Sequence, residues 1–179
     1  MREIICSGFG GQGVLTAGLI LAKTAMDAGR EVTWIPSYGS EMRGGTANCN
    51  VKIANRPIAS PFIKKIDLLF ALNAVSVDKF EPQVRPGGLM IANSSLLEDG
   101  RSFRGDIKLK LIPAGDIAEK LDYPRGLNLI MLAAGVASSG LFEKDVFTDG
   151  VENFFSGKGK NHPLNAECVR RGWLAGLQE

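Results

Sequence analysis

The stretch that decides the fold is Glu3-Ile4-Ile5-Cys6-Ser7, then Gly8-Phe9-Gly10-Gly11-Gln12-Gly13, then Val14 to Ala28. A short apolar run is broken by a glycine-rich turn. Helical spacing follows, with Val14, Ala17, Leu21 and Ala25 on one face and Leu15, Leu19, Ala22 and Met26 beside it. Gly29 supplies a helix stop, and Glu31–Ile35 reads as a second strand. Strand, turn, helix and strand at this length predict a βαβ unit.

Downstream the alternation continues. Pro36 to Gly45 has the composition of a loop. Thr46–Ile53 puts Ala47, Cys49, Val51 and Ile53 on one side, with Thr46, Asn48, Asn50 and Lys52 on a wetter one. Further strands are expected at Asp67–Leu72, Leu89–Ala92 (after a Pro86-Gly87-Gly88 turn) and Ile107–Ile112. Helices are expected at Ser76–Gln83, Ala114–Leu121, Leu127–Ser139, Lys144–Phe155 and His162–Leu177. The pattern predicts an α/β fold: one domain over 1–179, a mainly parallel sheet with helices on both faces, in a Rossmann-like three-layer architecture.

Composition narrows the function. Hydrophobic residues are 45% and charged residues 22% of 179, an ordinary globular balance. With 21 basic and 19 acidic side chains the net charge is +2, which is no footprint for nucleic acid. The stretch Leu127 to Leu141 is too short and too interrupted to span a bilayer, and no signal-peptide core is visible. The chain therefore reads as soluble and cytoplasmic, with reduced cysteines. Cys6, Cys49 and Cys168 are widely separated and His162 stands alone, too few ligands for an iron–sulfur cluster or structural zinc. No metal site and no catalytic nucleophile grouping is expected. Cys6 reads as a buried residue with no sequence neighbour to activate it.

Gly8, Gly10 and Gly13 match G-x-G-x-x-G between a strand and a helix. Glycines there permit a tight turn and close helix–strand packing. They also let backbone N–H groups and the helix dipole face an anion. Both readings stay open. A dinucleotide site is disfavoured, because Pro36 and Ser37 stand where the ribose-binding acid is expected. A P-loop is excluded, because Val14-Leu15 replaces its Lys-Ser/Thr.

A second stretch, Ser37-Tyr38-Gly39-Ser40-Glu41-Met42-Arg43-Gly44-Gly45-Thr46-Ala47, gathers Tyr, Glu and Arg in a glycine-rich loop at a strand end. It is either a solvated loop with a local Glu41–Arg43 pair or a ligand loop whose Arg43 holds an anion. Asn73 reads as a helix cap in preference to a cleft-lining residue, Asn128 as a helix-start residue in preference to a cleft-lining one, and Lys158, Lys160 and His162 as solvated surface rather than an anion site.

Together these residues resemble the gamma subunit of the 2-oxoacid:ferredoxin (acceptor) oxidoreductases, which act on pyruvate, 2-ketoisovalerate or 2-oxoglutarate. Gly8-Phe9-Gly10-Gly11-Gln12-Gly13 is similar to that family's G-x-G-G-Q-G signature. The Tyr38, Glu41, Arg43, Gly44 and Gly45 stretch is similar to its S-Y-G-x-E-x-R-G-G signature. The resemblance implies a subunit of a heteromeric enzyme that oxidatively decarboxylates a 2-oxoacid with coenzyme A, giving acyl-CoA, carbon dioxide and reduced ferredoxin. Thiamine diphosphate and iron–sulfur clusters would then sit on partner alpha, beta and delta subunits. This chain would serve assembly and coenzyme A access through Gly8, Gly10, Gly11, Gln12, Gly13, Tyr38, Glu41, Arg43, Gly44 and Gly45. Tyr38 and the intact Arg43-Gly44-Gly45 look more like the 2-oxoglutarate or branched-chain types than the pyruvate type. The competing reading is a stand-alone Rossmann-like nucleotide-binding protein.

Overall fold

A computed structural model describes residues 1–38, 45–159 and 161–178. The chain runs β1 (Arg2–Phe9), α1 (Val14–Asp27), β2 (Glu31–Tyr38), β3 (Thr46–Ala54), β4 (Ile66–Ala71), α2 (Ala74–Phe80), β5 (Val84–Asn93), β6 (Lys108–Ile112), α3 (Ala114–Lys120), α4 (Leu127–Ser139), α5 (Lys144–Ser156) and α6 (Leu164–Leu177). The six strands form one sheet in the order β2-β3-β1-β4-β5-β6. β1, β4, β5 and β6 pair in parallel, and β3 is antiparallel to both its neighbours, β1 and β2.

The expected βαβ unit is split. β2 does not pair with β1, because β3 folds back from it and takes the place between them. The apolar side of β3 explains the insertion: Ala47, Cys49, Val51 and Ile53 are all buried, in one core cluster with Val14, Ala17 and Leu21 of α1. The wetter side holds except at Lys52. That side chain is buried, with Nζ 2.6 Å from Glu3 Oε1 on the directly paired residue of β1. A charge out of water needs such a partner.

Two turn expectations shift as well. β2 continues through Pro36 and Ser37 to Tyr38, which an edge strand tolerates because proline's missing donor costs no ladder bond there. Pro86-Gly87-Gly88 lies inside β5, where the β4–β5 register slips and Gly87 adopts φ 73°. Expected and observed helix bounds agree closely elsewhere; α2 gives way to a 3-10 turn over Glu81–Gln83.

Helices cover both faces unequally. α1, α3, α4, α5 and α6 share the larger core, on the face carrying Ile4, Cys6, Phe70 and Ile91. The smaller core takes Ile5, Leu69 and Met90, under Val77 and Phe80 of the seven-residue α2. α4 is buried along nine residues and lies centrally in the larger core. That places its first turn beside the turn after β1.

Candidate functional site

β1 runs through Gly8 and Phe9, and the glycine turn starts at Gly10. The Gly10 N–H donates to the Gly45 carbonyl at 2.9 Å. Below it Phe9 pairs with Thr46, and Ala47 stands between Gly8 on one side and Tyr38 on the other. The two glycine motifs therefore meet at one corner, beyond the carboxyl ends of β1 and β2. Gly8, Gly10, Gly45 and the Tyr38 backbone belong to that corner. Glu41, Arg43 and Gly44 lie outside the described residues, as do Lys160 and the Tyr38 side chain.

Gln12 holds the turn together. Its Oε1 accepts from the Phe9 N–H at 2.6 Å and from Asn73 Nδ2 at 3.2 Å. Its amide nitrogen reaches toward the Leu72 carbonyl at 3.5 Å. Asn93 Nδ2 donates to the same carbonyl at 3.3 Å, and Asn73 Oδ1 caps α2 by accepting from the Ser76 N–H at 2.8 Å. Asn73 is the cap that was expected. Gly8 has no room for a side chain: a Cβ would stand 2.7 Å from Gln12 Oε1 and 2.8 Å from Val14 Cγ2. Gly8 and Gln12 thus shape the turn through contacts with the protein itself.

Gly11 and Gly13 adopt φ 100° and 74°, a region that side chains other than glycine enter at a cost. Gly13 begins α1 without a side-chain cap, so the first N–H groups of the helix keep their donors and the positive end of its dipole. The Gly13 carbonyl accepts from Ala17 N–H at 2.9 Å and from Asn128 Nδ2 at 3.2 Å. Asn128 was expected to serve the start of α4. It makes no cap there and instead reaches across to the turn.

Beside the turn lies a cleft of about 440 Å³. Gly11–Gly13 and Thr16 form one wall, and Tyr123, Arg125, Asn128 and Asn165 the other. Asn165 Oδ1 accepts from the Tyr123 hydroxyl at 3.2 Å. Its Nδ2 is buried with no partner among the described residues, a donor left open in a polar cleft. Burial pushes the Tyr123 hydroxyl above its usual range, with nearby Cys168 adding to the effect, so it stays a neutral donor. His162 stacks on the Tyr123 ring, centroids 4.2 Å apart. Helix N–H groups, an open amide and an exposed guanidinium suit an anionic or carbonyl-rich group. Arg125 and Asn165 went unread in the sequence; Pro124-Arg125-Gly126 ahead of an apolar helix was the only signal for the first.

The residues do not fit an iron–sulfur cluster. Cys6 and Cys49 sit under α1, while Cys168 packs in α6 against Gly126. No three His, Cys, Asp or Glu side chains converge among the described residues. No helix among them is long and apolar enough to cross a membrane.

The ketoisovalerate oxidoreductase subunit VorA of Methanothermobacter thermautotrophicus is 38% identical over 169 residues, 93% of this chain and 34% of VorA. The chain thus spans about a third of that relative's length. The 2-oxoglutarate synthase subunit KorC of Methanocaldococcus jannaschii is 33% identical over 146 residues, 80% of this chain and 78% of KorC. The gamma subunit of the keto/oxoacid ferredoxin oxidoreductase of Geobacter sulfurreducens PCA superposes with a TM-score of 0.80 at 26% identity, over 99% of both chains. A stand-alone nucleotide-binding protein finds no support in these likenesses. The pyruvate ferredoxin/flavodoxin oxidoreductase family matches residues 3–175, and the chain belongs to that family.

Proposed function

We propose that this chain is the gamma-type subunit of a cytoplasmic, multi-subunit 2-oxoacid:ferredoxin oxidoreductase. The complex converts a 2-oxoacid and coenzyme A to acyl-CoA and carbon dioxide and passes the electrons to ferredoxin. VorA and KorC, as relatives, favour a branched-chain 2-oxoacid or 2-oxoglutarate as substrate. Thiamine diphosphate supplies the carbanion chemistry and iron–sulfur clusters the electron path, both on the alpha, beta and delta partners. The role of this chain is to assemble with them and to hold coenzyme A.

The observation that carries the reading is the Gly10–Gly45 hydrogen bond, which joins the two glycine motifs beside an uncapped helix start. In this reading Gly10, Gly11, Gly13 and Gly45 give the backbone its close approach. Gly8 and Gln12 hold the turn's shape, Arg43 and Arg125 take phosphate oxygens, and Tyr38, Glu41 and Gly44 complete the surface that meets the catalytic subunits. Arg43→Ala and Arg125→Ala in the reconstituted complex test it. Each is expected to raise the apparent KM for coenzyme A about tenfold, the loss of one charge-assisted contact, or to weaken assembly as read by size-exclusion chromatography. Unchanged KM and unchanged assembly in both variants overturn it.

A further inference from the structure

Cys6 and Cys49 are directly opposite one another in the antiparallel β1–β3 ladder. Paired positions of that kind have Cα atoms about 4.5 to 5.5 Å apart, inside the roughly 4.4 to 6.8 Å that disulfides span. Both side chains point to the same face, into the core beneath α1, and both are fully buried. The sulfur of Cys49 fills the hollow left by Gly18 of α1, where a Cβ would come within 2.3 Å of it. The Trp34 Nε1 borders the same hollow, 2.9 Å from that Cβ position, buried and without an acceptor among the described residues.

We propose that Cys6 and Cys49 are a paired-thiol site that closes to an intrachain disulfide when a two-electron oxidant of the peroxide class reaches the core. Cys49 attacks first. The adjacent Cys6 thiol lets Cys49 ionise more readily than an ordinary thiol, although burial opposes this. Cys6 is pushed well up, by Cys49 first and then by burial. The Cys49 sulfur bonds to one peroxide oxygen, the O–O bond breaks and the leaving hydroxide takes a proton to become water. The Cys6 sulfur then bonds to the Cys49 sulfur, the S–O bond breaks, and the released hydroxide takes the Cys6 proton. Two thiols lose two electrons and two protons, and one peroxide becomes two waters. Cys168 has no such partner; burial pushes its thiol up to about 11, which keeps it protonated and slow to react.

The bond draws the Cys49 sulfur toward Cys6, two residues before Gly8, and away from Gly18. Oxidation therefore unseats α1 behind the glycine turn. The full chain is treated with hydrogen peroxide, quenched, unfolded, alkylated with iodoacetamide and analysed by mass spectrometry before and after digestion. A loss of about 2 Da, alkylation at Cys168 alone, and a reductant-sensitive link between the Cys6 and Cys49 peptides are expected. Alkylation of all three cysteines, a link through Cys168, or addition of oxygens without a link overturns the proposal. The Cys168→Ala chain serves as a second measurement and is expected to form the same link; its failure to do so counts against the assignment.

Discussion

Gly11 and Gly13 share a left-handed backbone for different reasons. A side chain at Gly11 would meet open space, whereas a Cβ at Gly13 would stand 2.5 Å from Asn128 Nδ2. Gly11→Ala is expected to cost about 1 to 2 kcal/mol in backbone strain alone. Gly13→Ala adds about 1 to 3 kcal/mol for the clash and loosens the Asn128 bond. Urea unfolding of the two variants checks this, and equal losses would sink the distinction. The sequence exposed the glycines here but not their neighbours. Gln12 meets Asn73 across 61 residues and Asn128 meets the Gly13 carbonyl across 115, separations that no local pattern encodes. For the same reason the turn read equally well as a packing device or a ligand loop. Gly8 packs closely against Gln12 and Val14, while Gly11 and Gly13 line the cleft.

Among the elements, α4 and α6 make the closest helix contact described. A Cβ on Gly172 would lie 2.2 Å from the Ile130 carbonyl oxygen, and one on Gly176 2.3 Å from that of Ala134. Both obstacles are backbone, which side-chain rotation cannot relieve. Alanine in a helix interior ordinarily gains up to about 1 kcal/mol over glycine. Here overpacking of about 1 to 3 kcal/mol wins, so Gly172→Ala and Gly176→Ala are both expected to destabilise; thermal unfolding with an unchanged or raised midpoint would refute it. The helical extent of α6 was legible from periodicity, and the four-residue glycine spacing was a signal for this contact. The strand order was less legible: Thr46–Ile53 announces a half-buried strand but not which neighbour it joins. Where it is inserted between β1 and β2, Cys49 fills the hollow at Gly18, a match made only in three dimensions.

Across the whole molecule, burial in the larger core gives the chain one alkaline pH response. The thiol of Cys168, deep in the larger core, titrates at about 11 against an ordinary value near 9. The folded chain thus keeps a proton that the unfolded chain releases earlier. Its stabilising contribution is complete below about pH 9 and declines as pH rises toward 11, by at most about 3 kcal/mol. Urea midpoints at pH 8 to 11 in the presence of reductant are expected to fall more steeply for the native chain than for Cys168→Ala; parallel curves would refute it. At this scale the composition was informative too. The three cysteines counted in the sequence lie in two separate places, Cys6 and Cys49 under α1 and Cys168 in α6.

The strand order has one more consequence, at the rims of the sheet. Among the described residues β2 and β6 each leave a row of backbone groups without a neighbouring strand, and an unpaired strand invites another chain to extend the sheet. Pro36 denies the β2 rim one donor. The β6 rim is only five residues long and carries Lys108 and Lys110, the second held by the Gln178 carbonyl. Both rims thus discourage sideways growth into aggregates.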